Sequence, residues 1–135
     1  MKLLKLIPAA AIALTAFMSL EGKTEQVCMY NNASYVVDEL VVSGLGSGAA
    51  SKNTSSFSLG ITKCIKLGDV PVPYGSGYTV KYNIEAGSCD CYGTNCVCTC
   101  ESDSRNNQVH NSSNSGKTWT YEITGTSMNS RCNLQ

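Results

Sequence analysis

Apolar and polar residues alternate along much of the chain, and a period of two predicts β-strands with one buried face. The alternation is clearest over residues 78–86, 118–124 and 56–61. Its apolar members are Tyr78, Val80, Tyr82, Ile84 and Ala86, then Trp119, Tyr121 and Ile123, then Phe57, Leu59 and Ile61. Helical periodicity is nearly absent, so the pattern indicates an all-β protein.

Residues 27–42 are rich in β-branched and aromatic side chains but alternate less regularly. The adjacent acids Asp38 and Glu39 place one charge on each face of a strand. An edge strand tolerates this arrangement, because an inward-pointing charge discourages further pairing. The segment is therefore predicted to be an edge strand.

Turn-forming stretches rich in Gly, Pro, Asn and Ser separate the strands, at residues 44–54, 71–77 and 103–116. Many short strands without intervening helices predict a small antiparallel β-sandwich, Ig-like or jelly-roll-like, with a small barrel as the alternative.

The N-terminus has the pattern of a secretory signal peptide. Lys2 and Lys5 precede an uncharged apolar run from Leu6 to Met18. This run is shorter than the roughly 20 residues that a membrane-spanning helix needs, and a buried helix is the alternative. We therefore predict a signal peptide at 1–22, one secreted domain at 23–135, and no transmembrane segment.

Eight cysteines follow the predicted leader, and an even number in an exported chain predicts four disulfides. Residues 92–95 read as a hairpin loop, which places Cys91 opposite Cys96 and Cys89 opposite Cys98. Opposed residues at non-hydrogen-bonded sites lie ~4.5 Å apart between Cα atoms, near the lower limit for a disulfide. Both pairs could therefore form disulfides across the hairpin.

The other four cysteines are Cys28, Cys64, Cys100 and Cys132. We favour Cys100 with Cys132 and Cys28 with Cys64, although eight cysteines allow about 105 connectivities. The closely spaced thiols of 89–100 also permit a metal–thiolate cluster. A zinc site is a weaker hypothesis, because the Cys-x₂-Cys spacing is missing and His110 lies in a polar loop.

The charges balance, with 10 basic and 10 acidic residues, and charged residues make up only 15% of the chain. The balanced charge excludes a strong positive electrostatic field of the kind that attracts nucleic acid. The lone histidine, His110, sits in a segment typical of a solvated loop, so no nucleophile–base pair is predicted. We predict no enzyme and no cofactor.

The candidate acids are Asp38, Glu39, Asp69, Glu85, Asp90, Glu101, Asp103 and Glu122, of which Asp90, Glu101 and Asp103 could hold calcium.

Three sequons are potential sites of N-linked glycans, at Asn32, Asn53 and Asn111. Asn53 and Asn111 lie in loop-like stretches. Covalently attached glycans are therefore expected in a eukaryotic secretory pathway.

Residues 27–37, 61–67 and 115–134 resemble small secreted cysteine-containing β-domains of microalgae and related protists. Those domains begin with a Cys–Asn–aromatic strand, continue to a second cysteine before an Asp/Leu turn, and end with a Gly-Thr-Thr-Leu-like segment before a final cysteine. The resemblance supports a β-domain and the pairing of Cys28 with Cys64, while the hairpin cysteines depart from the pattern. It implies no activity.

These observations predict a glycosylated, non-catalytic structural or interaction module. Self-association through the early strand, Lys23 to Val42, would build an extracellular filament or coat. The alternatives are a defence or toxin-like protein that binds sugars or membranes, with Tyr74, Tyr78 and Tyr92 as candidate contacts, and a metal-binding protein that uses the hairpin thiols.

Overall fold

The described part of the chain forms two β-sheets that pack face to face. The computed structural model describes residues 25–45, 50–87, 89–100 and 109–135; the predicted signal peptide lies outside them. The strands are β1 (Gln26–Asn31), β2 (Glu39–Gly44), β3 (Ser51–Asn53), β4 (Thr62–Lys66), β5 (Tyr78–Ile84), β6 (Asp90–Tyr92), β7 (Asn95–Thr99), β8 (Thr118–Thr126) and β9 (Asn129–Leu134). Short 3₁₀ turns occupy Leu67–Asp69 and Ser112–Asn114.

One sheet has the strand order β4-β1-β8-β9, and the other has the order β3-β2-β5-β7-β6. The predicted all-β sandwich is confirmed. One strand pair departs from the predicted antiparallel arrangement, because β1 and β8 run parallel, with Gln26 opposite Thr118. Parallel neighbours require a long crossover, and here the chain forms the whole second sheet, and β4 of the first sheet, before it adds β8 beside β1.

The core lies between the sheets and follows the alternation read from the sequence. Alternate residues of β5 are buried, as are those in the middle of β8. Side chains from both sheets join one apolar cluster, which includes Val27, Met29, Ile65, Tyr121 and Ile123 from the first sheet and Leu40, Val42, Tyr78, Val80, Tyr82 and Ile84 from the second. Burial of this cluster stabilises the packing of the two sheets against each other.

The predicted edge strand over 27–42 is wrong. The segment divides into β1 and β2, and each has a neighbour on both sides. The strand assigned to self-association is therefore occupied within the molecule. Among the described strands the free edges belong to β3, β4, β6 and β9, and self-association through an edge strand stays a prediction.

Asn31 explains why the segment divides. Its fully buried amide donates to the carbonyl oxygens of Tyr35 and Phe57, and its Oδ1 accepts from the backbone N–H of Ala33. An asparagine that bonds the backbone two residues ahead starts a turn. The loop after Asn31 then carries the chain from one sheet to the other.

The alternation over 56–61 does not produce a strand, which corrects the prediction. Phe57 is buried and forms an isolated bridge with Val37, but Leu59 and Ile61 are exposed. Gly60 has φ +87°, a left-handed conformation that interrupts extended backbone. Strand β4 therefore begins only at Thr62. The stretch 44–54, predicted as a turn region, contains the short strand β3.

The cysteine hairpin has the predicted register, with Cys91 opposite Cys96. Its connection is shorter than the predicted four residues, because Tyr92 and Asn95 still pair and only Gly93 and Thr94 form the turn. Gly93 has φ +62°, as a tight hairpin turn requires.

The structure contains four disulfides, and their pairing is the one favoured from the sequence. Three lie within a sheet: Cys28–Cys64 joins β1 to β4, while Cys89–Cys98 and Cys91–Cys96 brace the hairpin. Cys100–Cys132 joins the end of β7 to β9 in the other sheet. No cysteine is free, so the thiolates that the metal-binding hypothesis needs are consumed.

Candidate functional site

A buried acid–histidine pair lies where β1 and β8 begin. The Glu25 carboxylate is 1% exposed and accepts a hydrogen bond from His110 Nδ1 at 2.6 Å. It also accepts from the backbone N–H of Asn111 at 3.2 Å and from the indole Nε1–H of Trp119. Three donors satisfy a buried carboxylate that water does not reach. We call Glu25, Tyr74, His110 and Trp119 the histidine cluster.

Backbone hydrogen bonds also hold His110 in place. Its N–H donates to Ser76 O at 2.9 Å, and its carbonyl accepts from Gly75 N at 2.7 Å. Its ring packs on Tyr74 with the centroids 4.6 Å apart. A cavity of about 390 Å³ opens beside the two rings and is lined by Gly68, Pro71, Val72, Pro73, Tyr74 and His110.

The sequence did not predict this cluster. His110 was expected in a solvated loop, but it is 4% exposed. Glu25 was absent from the candidate acids, although it is the acid that meets the histidine from 85 residues away. The only local sequence feature that involved the cluster was the alternation around Trp119. That alternation predicts a strand, and it does not indicate which residue the indole N–H would bond.

Five of the seven exposed large apolar side chains in the described ranges lie at the opposite end of the sandwich. They come from the β1–β2 loop, the segment before β4, the hairpin and the β8–β9 turn. We call them the apolar end: Val36, Leu59, Ile61, Tyr92 and Met128.

The strand registers place these loops together. At the end of β1, Tyr30 pairs with Thr62 at the start of β4, and Asn31 pairs with Ile123 in β8. The backbone N–H of Ser34 donates to Gly125 O at 3.4 Å, which ties the β1–β2 loop to the end of β8.

The second sheet contributes to the same end. Gly87, just after β5, lies so close to Ser127 that an added Cβ would stand 2.4 Å from the Ser127 carbonyl oxygen. The loop after β5 therefore contacts the β8–β9 turn, and the hairpin turn follows the same end of β5.

The predicted sugar-contacting tyrosines separate in the structure. Tyr74 and Tyr92 are 63% and 88% exposed, at opposite ends of the sandwich. Tyr78 is 1% exposed, which corrects the prediction that it is a surface contact. It is the first residue of β5, and its ring belongs to the core.

The three sequon asparagines, Asn32, Asn53 and Asn111, are all exposed. Asn32 lies in the loop that carries Val36, and Asn111 caps the 3₁₀ turn beside His110. Asn53 in β3 donates to Glu39. Their accessibility permits modification, and their use stays a prediction.

The candidate acids do not assemble into a site in the described residues. Asp38, Glu85 and Asp90 are exposed, and Asp69 forms a surface ion pair with Lys52 at 3.9 Å. Glu39 accepts from Asn53 and Asn83, while Glu122 lies within β8. Glu101 and Asp103, the other two members of the proposed calcium group, lie outside the described residues. Over the described ranges, no group of three or more His, Cys, Asp or Glu side chains could hold a metal ion.

Two tyrosines converge on one serine near a second cavity of about 490 Å³, next to the Cys89–Cys98 and Cys100–Cys132 disulfides. The hydroxyls of Tyr35 and Tyr82 each hydrogen-bond Ser130 Oγ. Burial raises the pKa of Tyr82 from 10.0 to about 12, against the opposing effect of the Ser130 hydrogen bond.

This shift predicts a pH dependence of stability. The folded state holds the Tyr82 proton more tightly than the unfolded state, so its contribution is complete below pH 10 and is lost as the pH rises toward about 12. Urea unfolding across this range should show a shallower decline for Tyr82→Phe than for the wild type. Tyr92→Phe, at an exposed position, should keep the wild-type slope, and an equal change in both variants would contradict the assignment.

No helix in the described residues is long and apolar enough to cross a bilayer. No protein-family model and no curated protein match the chain. Two solved structures align with it at low similarity. The membrane-binding domain of pneumolysin covers 83% of this chain and 96% of its own, with a TM-score of 0.41 and 9% identity. Listeriolysin O covers 82% of this chain and 22% of its own, with a TM-score of 0.41 and 11% identity. Likenesses at this level carry no inference about what this chain binds.

Proposed function

We propose that the protein is a secreted, non-catalytic interaction module that attaches to a lipid membrane surface through its apolar end. One observation carries the proposal: most of the exposed large apolar side chains of the described residues share one end of the sandwich. Single exposed apolar residues are ordinary on protein surfaces, whereas several at one place mark a contact with a partner or a membrane.

The shape of the apolar end favours a lipid surface over a protein partner. Its side chains come from four separate loops, so they do not line one groove or one strand edge. A protein partner would need a surface complementary to this irregular outline, whereas a fluid lipid layer adapts to it. Tyr92 and the four aliphatic side chains suit the boundary between headgroups and acyl chains.

The charges near this end favour neutral lipid. Asp38 and Glu85 are exposed in its loops and Asp90 in the hairpin, while Lys63 in β4 and Arg131 in β9 are the nearby cations among the described residues. Anionic lipids attract surfaces with excess Lys and Arg, and this end has no such excess in the described residues. Binding to phosphatidylcholine should therefore not improve when anionic lipid is added.

Four disulfides are typical of proteins that fold in an oxidising compartment. This supports secretion, and the exposed sequons support glycosylation. A glycan on Asn32 would stand at the apolar end and compete with a membrane. The test protein should therefore carry Asn32→Gln, which removes that sequon.

Sedimentation with phosphatidylcholine vesicles tests the proposal. Leu59→Asp should weaken binding by at least about tenfold, because burying a leucine side chain contributes about 1.5–3 kcal/mol and 1.4 kcal/mol corresponds to tenfold. Leu45→Asp is the matched control, because Leu45 and Leu59 are both 61% exposed but lie at opposite ends.

The Leu45 variant should bind vesicles as the wild type does. The proposal is overturned if the wild type does not sediment with the vesicles, or if the two variants lose binding equally. Circular dichroism of each variant would verify that the sandwich is intact.

A further inference from the structure

We propose a second binding site, for a pyranose sugar, in the cavity of the histidine cluster. It lies at the end of the sandwich opposite the apolar end, and it does not depend on the membrane function. The cavity volume of about 390 Å³ falls within the range of small-ligand sites.

Side chains that contain a ring form most of the described lining. Pro71, Pro73 and Tyr74 border the cavity, and Tyr74 is 63% exposed although one side of its ring packs on His110. A pyranose has an apolar C–H face that packs on such rings, as apolar ligand surfaces do in pockets lined by aromatic side chains. The lining therefore fits one face of a sugar.

His110 supplies the polar contact. Its Nδ1 is engaged by Glu25, and its Nε2 has no hydrogen-bond partner among the described residues. A neutral imidazole accepts at Nε2, and a protonated one donates there. A hydroxyl group can donate and accept, so a sugar hydroxyl pairs with His110 in either protonation state.

The lining also disfavours other ligand classes. The described lining residues carry no carboxylate, amine or guanidinium, so they offer no ion pair to a phosphate or a charged peptide. Glu25 is buried behind the histidine and is engaged by three hydrogen bonds, of which the one from Nδ1 fixes the ring. A neutral ligand with an apolar face and hydroxyl groups is what the cavity suits.

Nuclear magnetic resonance titration of the ¹⁵N-labelled protein with a panel of soluble methyl glycosides and oligosaccharides tests the site. The protein should carry Ser113→Ala, because a glycan on Asn111 would stand beside the cavity. At least one sugar should shift the signals of His110 and its neighbours. Tyr74→Ala should weaken that binding by about three- to tenfold, the range typical of one aromatic contact.

Tyr92→Ala is the matched control, because Tyr92 is also an exposed tyrosine but lies at the apolar end. It should leave sugar binding unchanged. The proposal is overturned if no sugar shifts the His110 signals, or if Tyr74→Ala and Tyr92→Ala weaken binding equally.

Glycolipid vesicles separate this proposal from the membrane function and show whether the sugar can belong to a lipid headgroup. If Tyr74→Ala weakens binding to glycolipid vesicles but not to phosphatidylcholine vesicles, the site accepts a lipid-linked sugar. If glycolipid adds nothing to vesicle binding while soluble sugars still bind, the source is a soluble glycan. If Leu59→Asp is the only variant that loses binding to glycolipid vesicles, and no soluble sugar binds the protein, the sugar site is refuted.

Discussion

The double variant Cys100→Ala, Cys132→Ala is expected to unfold with a free energy about 4 kcal/mol lower than the wild type. This disulfide closes a loop with a sequence separation of 32, and the chain-entropy model assigns about that value to a loop of this length. It is the described disulfide that joins the two sheets, so its loss leaves them held by the connecting loops, by side-chain packing and by contacts such as the Tyr82–Ser130 hydrogen bond. Urea unfolding followed by Trp119 fluorescence measures the change.

The variant Cys91→Ala, Cys96→Ala is the matched control. This disulfide has a sequence separation of 5 and lies within one hairpin, so the same model gives about 2 kcal/mol. Alanine is chosen over serine because Cys100 and Cys132 are only 2% and 7% exposed, and serine would bury a hydroxyl group at each position. Equal losses in the two double variants would show that the bond between the sheets has no special role.

Glu25→Ala should lower the free energy of unfolding by about 3 kcal/mol. The substitution leaves the donors of His110, Asn111 and Trp119 without their acceptor, and unsatisfied buried donors cost about 1–3 kcal/mol each where water does not replace the partner. Glu25→Gln keeps the shape but offers one oxygen in place of two, so we expect a smaller loss. Urea unfolding of all three proteins provides the comparison.

Glu85→Ala is the control for Glu25→Ala, because Glu85 is exposed and the structure gives it no hydrogen bond among the described residues. Its substitution should change stability by less than about 0.5 kcal/mol. If Glu25→Ala costs no more than Glu85→Ala, the carboxylate does not hold the histidine cluster together.

Local patterns predicted the strands whose faces are cleanly divided. Tyr82 and Ile84 in β5, and Tyr121 in β8, follow the alternation because each strand has one face on the core. The same pattern failed at Leu59, where Gly60 breaks the extended backbone and leaves its neighbours exposed. The alternation indicates which side chains a strand would bury if it formed, but it does not indicate whether the strand forms.

The histidine cluster and the edge assignments depend on contacts between distant parts of the chain. His110 is buried because Glu25, 85 residues before it, supplies a carboxylate, and no local window contains both. The β1 strand is internal because β8 pairs on its free side. The hairpin disulfides were predictable for the opposite reason, since Cys91 and Cys96 are close in sequence and fixed by one turn.

The parallel pairing of β1 with β8 has a consequence for the order in which the molecule can close during synthesis. Gln26 emerges from the ribosome 92 residues ahead of Thr118, its neighbour in the sheet. The hairpin and the bond between Cys28 and Cys64 can form early, but Cys100 must wait for Cys132. One side of the first strand thus stays open until nearly the whole chain has been made, and this interval is when the nascent protein is most exposed to aggregation.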